Sequence, residues 1–264
     1  MYQVGFIGCG NMGSALVAAA AKTIAGEQIA VCDHNAHKLS PLQTAYGVQI
    51  TTAEDIAKNA RFVVLGVKPQ SMAQTLAPLQ SALAQNPNVI LVSMAVGLTI
   101  GNIQACAGCQ YPTIRCMPNT PCMVGAGTVL YAVDGVQQQS EIDFLNVFSG
   151  AGKFFLMSEE QIDCAGALSG CGPAFYYLFA NGLVQGAKAC GVDEAQALQL
   201  AAQTMLGAAE MLLEFGDPIT LKNNVCSPGG TTLAGVAALE KGELEQVAAA
   251  AVTSAYERTL QLKK

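Results

Sequence analysis

The chain has no tryptophan, and aromatic residues make up only 6% of its 264 positions. Charge is scarce too: Asp, Glu, Lys and Arg together reach 12%, about half the usual ~25%. Lys and Arg form no cluster and the formal net charge is −6, so the basic face needed by a nucleic-acid partner is missing. No apolar run reaches the ~18 residues of a membrane span. The opening MYQVGF lacks the basic start and apolar stretch of a secretory signal, so a soluble cytoplasmic protein is expected. There are two histidines, His34 and His37. No third ligand stands near them, and no metal site is expected.

Apolar residues, by contrast, make up 52% of the chain, mostly Ala, Val and Leu. So little polar surface cannot cover a monomer well, and a buried interface between copies of the chain is expected. Ten cysteines lie scattered in apolar surroundings and read as reduced thiols acting as small hydrophobes. Cys106 and Cys109 form a lone C-x-x-C, without the second ligand pair of a zinc site or the context of a redox motif.

The two halves have different rhythms. Short β-rich runs dominate the first: Val4–Gly8, Ile29–Cys32, Val48–Ile50, Phe62–Val67, Val89–Ser93, Thr113–Met117, Thr128–Tyr131 and Phe154–Met157. Helical segments such as Ser14–Ala25 and Ser71–Ala84 separate the early ones. This alternation predicts a doubly wound, mostly parallel α/β sheet, one of the later strands being antiparallel. After Ser158 the pattern turns helical, with Ala174–Cys190, Asp193–Phe215 and Glu243–Leu262 as examples. The boundary is therefore expected at residue 158, between an α/β domain (1–158) and an all-α domain (159–264).

Gly8, Gly10 and Gly13 form G-x-G-x-x-G, with Asn11 and Met12 inside it, between a predicted strand and a predicted helix. That is the context a Rossmann dinucleotide turn requires. A tight turn, backbone approach to a pyrophosphate and close helix–strand packing each favour one glycine. The second strand ends at Asp33, a carboxylate suited to a ribose 2′-hydroxyl. His34, Asn35, His37 and Lys38 follow, and can surround a 2′-phosphate if Asp33 turns aside. These residues leave NADPH and NADH both open. Val67, Lys68, Pro69 and Ala95 follow the fourth and fifth strands, and Met117, Pro118 and Asn119 follow the sixth. Strand ends face the cofactor crevice in such sheets.

The stretches GFIGCGNMG, VKPQ (Val67–Gln70), SMAVG (Ser93–Gly97), RCMPNTP (Arg115–Pro121), LSGCGPAFYY (Leu168–Tyr177) and LKNNVCSPGGTTLAGVAALE (Leu221–Glu240) occur in this order. Together they resemble the pyrroline-5-carboxylate reductases, and the resemblance covers essentially the whole chain. It implies reduction of 1-pyrroline-5-carboxylate to L-proline with NAD(P)H, NADP(H) being favoured and NAD(H) the alternative. It also implies a homodimer interlocked through the C-terminal helices, in some members assembled into decamers. Thr232 matches the threonine the family places near the substrate nitrogen.

The residue chemistry is compatible with an imine substrate. Ketone reduction wants a positioned His or Lys, yet the second half has no His, and its only Lys between Phe154 and Leu221 is Lys188. The nearest rival is a related imine or β-hydroxyacid reductase, and the missing lysine counts against the hydroxyacid version. A protonated imine needs positioning more than acid catalysis. Ser227-Pro-Gly-Gly-Thr-Thr232, just before an apolar helix, can anchor a carboxylate with hydroxyls and backbone N–H groups. It would serve equally as an N-cap and turn. Ser227, Gly230 and Thr231 are expected to hold the carboxylate, Thr232 to orient the ring nitrogen, and Val225 to line the pocket. Tyr176 and Tyr177 are expected in helix-core packing. The rival outside enzymology is an NAD(P)-binding regulator without turnover.

Overall fold

The computed structural model describes residues 1–262, and by contacts it divides into two units: Met1–Cys171 with the chain end from Ala255, and Gly172–Ser254. The first unit contains β1 (Tyr2–Ile7), α1 (Asn11–Ala20), β2 (Ile29–Cys32), α2 (Leu39–Tyr46), β3 (Gln49–Ile50), α3 (Ala53–Asn59) and β4 (Ala60–Leu65). It continues with α4 (Met72–Leu76), α5 (Gln80–Ala84), β5 (Ile90–Ser93), α6 (Ile100–Ala107), β6 (Thr113–Met117), β7 (Gly127–Asp134), α7 (Gln138–Phe148), β8 (Gly152–Leu156) and α8 (Glu159–Ser169). One sheet holds all eight strands in the order β3-β2-β1-β4-β5-β6-β7-β8.

Each expected strand overlaps an observed one. β1 to β6 are parallel, β7 pairs antiparallel with β6, and β8 is parallel to β7. Two strands are therefore reversed rather than the one expected, because β7 returns directly from β6 and α7 then carries the chain across to β8 in β7's direction. Neighbouring side chains go to opposite faces. Phe62 and Val64 join Phe6, Val31, Phe144 and Phe148 in one core layer, whereas Val63 and Leu65 join Ile56, Leu79, Leu83 and Ile103 in the other. Both faces are buried, which is why these strands read as unbroken apolar runs.

The helix expected over Ser71–Ala84 breaks into α4 and α5, with a 3-10 turn at Ala77–Leu79 between them. Pro78 stands in that turn; it lacks an N–H and crowds the preceding carbonyl, so a continuous helix is disfavoured. The expected boundary at residue 158 also differs from the observed division. α8 belongs to the first unit: Ile162 is buried with Ile100, Leu130 and Ala132 on the sheet. Ser158 caps α8 through its side chain, and Gln161 bonds back in a capping box, so the helix starts where the sequence placed it.

The second unit contains α9 (Gly172–Ala189), α10 (Glu194–Phe215), α11 (Pro218–Asn224) and α12 (Thr231–Lys241), and α13 (Leu244–Leu262) begins in it. Asp193 caps α10 by accepting from the N–H groups of Ala195 and Gln196. The unit has almost no core of its own: Val184, Ala197 and Ala201 are its buried cluster. Leu178, Leu213 and Phe215 stay 74%, 77% and 63% exposed. Tyr176 and Tyr177 are not in a helix core as expected, but exposed, since nothing in this small unit covers them. Among the described residues, no helix is long and apolar enough to cross a membrane.

Candidate active site

The turn between β1 and α1 separates its three glycines by cause. Gly8 has φ +100°, and a Cβ there would lie 2.7 Å from the Gly66 carbonyl oxygen. At Gly13 a Cβ would strike the carbonyl oxygen of Gly8. The protein's own packing thus demands both glycines. Gly10 differs: its φ is an ordinary −70°, and a Cβ there would meet nothing within 4 Å. Nothing in the chain requires glycine at this position, but a pyrophosphate approaching the backbone would. Gly10 is also the N-cap of α1 and offers no side-chain acceptor, so the first-turn N–H groups face outward, ready for an anion. Asn11 is exposed at this end, and Met12 is half-buried.

Asp33, at the end of β2, is turned inward. Its side chain is 3% exposed. Oδ2 accepts from the Cys9 N–H at 2.8 Å, and Oδ1 accepts from the Asn35 N–H at 2.8 Å. Burial alone would raise its pKa, but these two N–H groups, with Lys38 and His34 beside it, hold it below the usual carboxylate value. Asp33 is thus engaged in fixing the glycine loop to its own loop. His34 Nδ1 lies 3.3 Å from Oδ1 and Lys38 Nζ 3.5 Å from Oδ2, both reaching outward to solvent. Asn35 accepts from the His37 N–H and fixes the turn.

A cleft of about 280 Å³ lies at the C-terminal ends of the parallel strands. Met12, Gly66, Val67, Met94 and Val96 line one part, and Met117, Pro118, Asn119, Thr120 and Gly170 the rest. The structure therefore brings Met12, Val67, Met117, Pro118 and Asn119 together, as the sequence proposed. It places Ala95 in the core beneath the cleft, 4% exposed, so its neighbours Met94 and Val96 form the wall. Lys68 is exposed and Pro69 half-buried, at the start of the turn after β4.

Asn119 lines the cleft but is committed elsewhere. Its Oδ1 accepts from the Thr128 N–H at 2.9 Å, and its Nδ2 donates to the Ser169 carbonyl at 3.0 Å. It therefore holds the last turn of α8 against the loop after β6. The start of α8 is held by charge: Arg115, 3% exposed on β6, pairs with Asp163 and, at 3.1 Å, with Glu159. Glu159 also accepts from the Ile100 N–H at 2.9 Å. Arg115 stood in a quoted motif without a role. The signal available was an arginine inside an apolar strand, which must find carboxylates.

In the second unit, Ser227–Thr232 forms a turn leading into α12. The Gly230 N–H donates to the Ser227 carbonyl at 2.9 Å, and Gly229 has φ +72°. Gly230, not a hydroxyl residue, is the N-cap, and no side chain caps the helix. The capping role equally suited to this run is therefore unused, and the N–H groups at Thr231 and Thr232 remain directed out of the helix end. Val225 is 63% exposed at the end of α11, and Ser227, Thr231 and Thr232 are exposed as well.

Residues 159–262 match the family model described as pyrroline-5-carboxylate reductase dimerisation. Residues 3–97 match the model described as NADP oxidoreductase, coenzyme F420-dependent. A pyrroline-5-carboxylate reductase of Arabidopsis thaliana is 35% identical, over 100% of this chain and 96% of its own. The chain belongs to the pyrroline-5-carboxylate reductase family. The solved family member from Coxiella burnetii aligns with a TM-score of 0.89 at 33% identity, covering 100% of this chain and 99% of that one. The pyrroline carboxylate reductase of Plasmodium falciparum, solved with NADP bound, aligns with a TM-score of 0.86 at 29% identity, covering 100% and 98%. The dimerisation match supports a homo-oligomer.

Proposed function

We propose that this protein reduces the C=N bond of 1-pyrroline-5-carboxylate to give L-proline, the last step of proline biosynthesis, in the cytoplasm. The observation that carries the reading is the identity to family members along the entire chain, both halves included. NADPH, when bound, supplies the hydride that the imine carbon accepts. Gly8, Gly10, Asn11 and Gly13 would receive its pyrophosphate at the open N-terminus of α1. The inward turn of Asp33 favours NADPH over NADH, because the carboxylate is spent on backbone N–H groups and leaves His34, Asn35, His37 and Lys38 facing outward. Lys68 and Pro69 would border the ribose, and Val67, Met117 and Pro118 the nicotinamide. Asn119 stands in this wall and Ala95 supports it from behind.

On the substrate side, Ser227, Gly230 and Thr231 would hold the carboxylate, and Val225 would cover the ring. Thr232 would hydrogen-bond the ring nitrogen. A hydroxyl is a poor acid at neutral pH, so its role is orientation, the imine nitrogen being protonated before hydride arrives. The dimer is built by the C-terminal helices, with residues 159–262 matching the dimerisation model.

Cofactor oxidation with pyrroline-5-carboxylate, followed by nicotinamide absorbance, tests the reaction. Ser227→Ala should raise the substrate KM about tenfold, the loss of one hydrogen bond to a charged group. Thr232→Ala should lower kcat/KM by a similar factor of about ten. Cofactor binding without turnover would refute the reductase reading and favour the regulator.

A further inference from the structure

We propose that the ion pair between Lys222 and Glu240 is a clamp that sets the geometry of the substrate-carboxylate anchor, both residues being positioning residues for substrate binding. The inference rests on the reading of Ser227–Thr232 given above.

The anchor has little of its own to hold its shape. The turn is closed by one internal bond, from the Gly230 N–H to the Ser227 carbonyl at 2.9 Å. Gly229, with φ +72°, takes the left-handed conformation that a side chain would resist. No side chain caps α12. Neither α11 nor α12 has a buried residue, so no core fixes the two helices that carry the turn. The placing of Ser227 against the N–H groups at the start of α12 therefore depends on what joins these helices.

Lys222 and Glu240 supply that tie. Lys222 stands in the last turn of α11, before the anchor, and Glu240 stands near the end of α12, after it. Lys222 Nζ donates to Glu240 Oε1 at 3.0 Å, across 18 residues. Among the described residues, this is the only hydrogen bond or ion pair joining α11 to α12. The helix dipole favours a lysine at a C-terminal end and disfavours a glutamate there. Glu240 is thus unfavourable to its own helix, and its charge is answered from α11. The Glu240 carboxylate holds the Lys222 ammonium above its ordinary pKa, so the lysine stays charged. Glu245 of α13 adds a second negative charge near Lys222, in the groove that Ile219, Val236 and Leu239 also line. A lysine engaged by acids in this way is poorly placed to meet the substrate carboxylate itself.

Steady-state kinetics of the whole protein with varied pyrroline-5-carboxylate test the clamp. The two side chains are 35% and 57% exposed, so the effect is that of a screened pair. Lys222→Gln and Glu240→Gln should each raise KM about two- to fivefold, with a smaller change in kcat. The variant carrying both should rise no further than either alone. Exchanging the charges, Lys222→Glu with Glu240→Lys, should restore KM. A merely structural loss would lower kcat through less folded protein and leave KM in place. A higher KM in Lys222→Gln, with an unchanged or lower one in Glu240→Gln, would overturn the clamp and make Lys222 a direct substrate contact. Native KM in all these variants would overturn it too, and the anchor would stand if Ser227→Ala still raised KM. Native KM in Ser227→Ala as well would overturn the anchor reading with it.

Discussion

At the scale of single residues, the glycine turn separates what the fold needs from what a ligand needs. Gly13→Ala drives a methyl group into the Gly8 carbonyl. It should lower stability by about 1–3 kcal/mol, the usual cost of forcing extra volume into a packed contact. Gly10→Ala adds a methyl into open space at an ordinary φ, so thermal unfolding should shift by no more than about 0.5 kcal/mol. Its cofactor affinity should nevertheless fall about tenfold or more, because the methyl would stand at the proposed pyrophosphate site. Melting curves together with cofactor titration check both. The spacing G-x-G-x-x-G was legible in the sequence, and so was the choice posed by Asp33 and its neighbours. The direction in which Asp33 turns was not, because it depends on a bond to the Cys9 N–H, distant in sequence. Asn119 was legible as a cleft residue but not as a clamp, since its partners Thr128 and Ser169 come from separate elements.

At the scale of elements, α8 is the informative case. Its helical period and capping box were plain, yet its membership of the first unit was not. That membership rests on Arg115 reaching Glu159 and Asp163, and on Ile162 packing against Ile100, Leu130 and Ala132. Arg115→Met should destabilise the protein by about 3–5 kcal/mol, because it strands buried negative charge. Arg115→Met combined with Asp163→Leu should recover part of that loss, and denaturant unfolding of the single and double variants measures the coupling. The strands were legible because a parallel sheet covered on both faces leaves continuous apolar runs. The reversal of β8 was not, since direction is set by how α7 crosses over and leaves no local pattern. Pro78 stands in plain view in the sequence, but the apolar period around it runs unbroken and masks the break in the helix after β4.

For the whole molecule, the low charge content finds its explanation in the second unit, whose leucines and aromatics lie on the surface while its buried cluster is three residues. Large exposed apolar area of this kind marks an association surface. Paired Leu206→Glu and Leu213→Glu substitutions, at positions 54% and 77% exposed, should convert the oligomer to a monomer and expose the second unit to proteolysis, while β1–β8 stay folded. Light scattering and limited digestion read the two effects.

The clamp at Asn119 ties these scales together. Its side chain stands in the wall of the cleft, and its amide holds the last turn of α8, the helix with which the dimerisation match begins. Order imposed on that wall would reach the last turn of α8 through this amide. If cofactor binding and subunit association are coupled there, linkage makes the effect mutual: the factor by which NADPH tightens association equals the factor by which association tightens NADPH. Cofactor affinity would then rise with protein concentration, and cofactor titrations over a dilution series of the protein measure it.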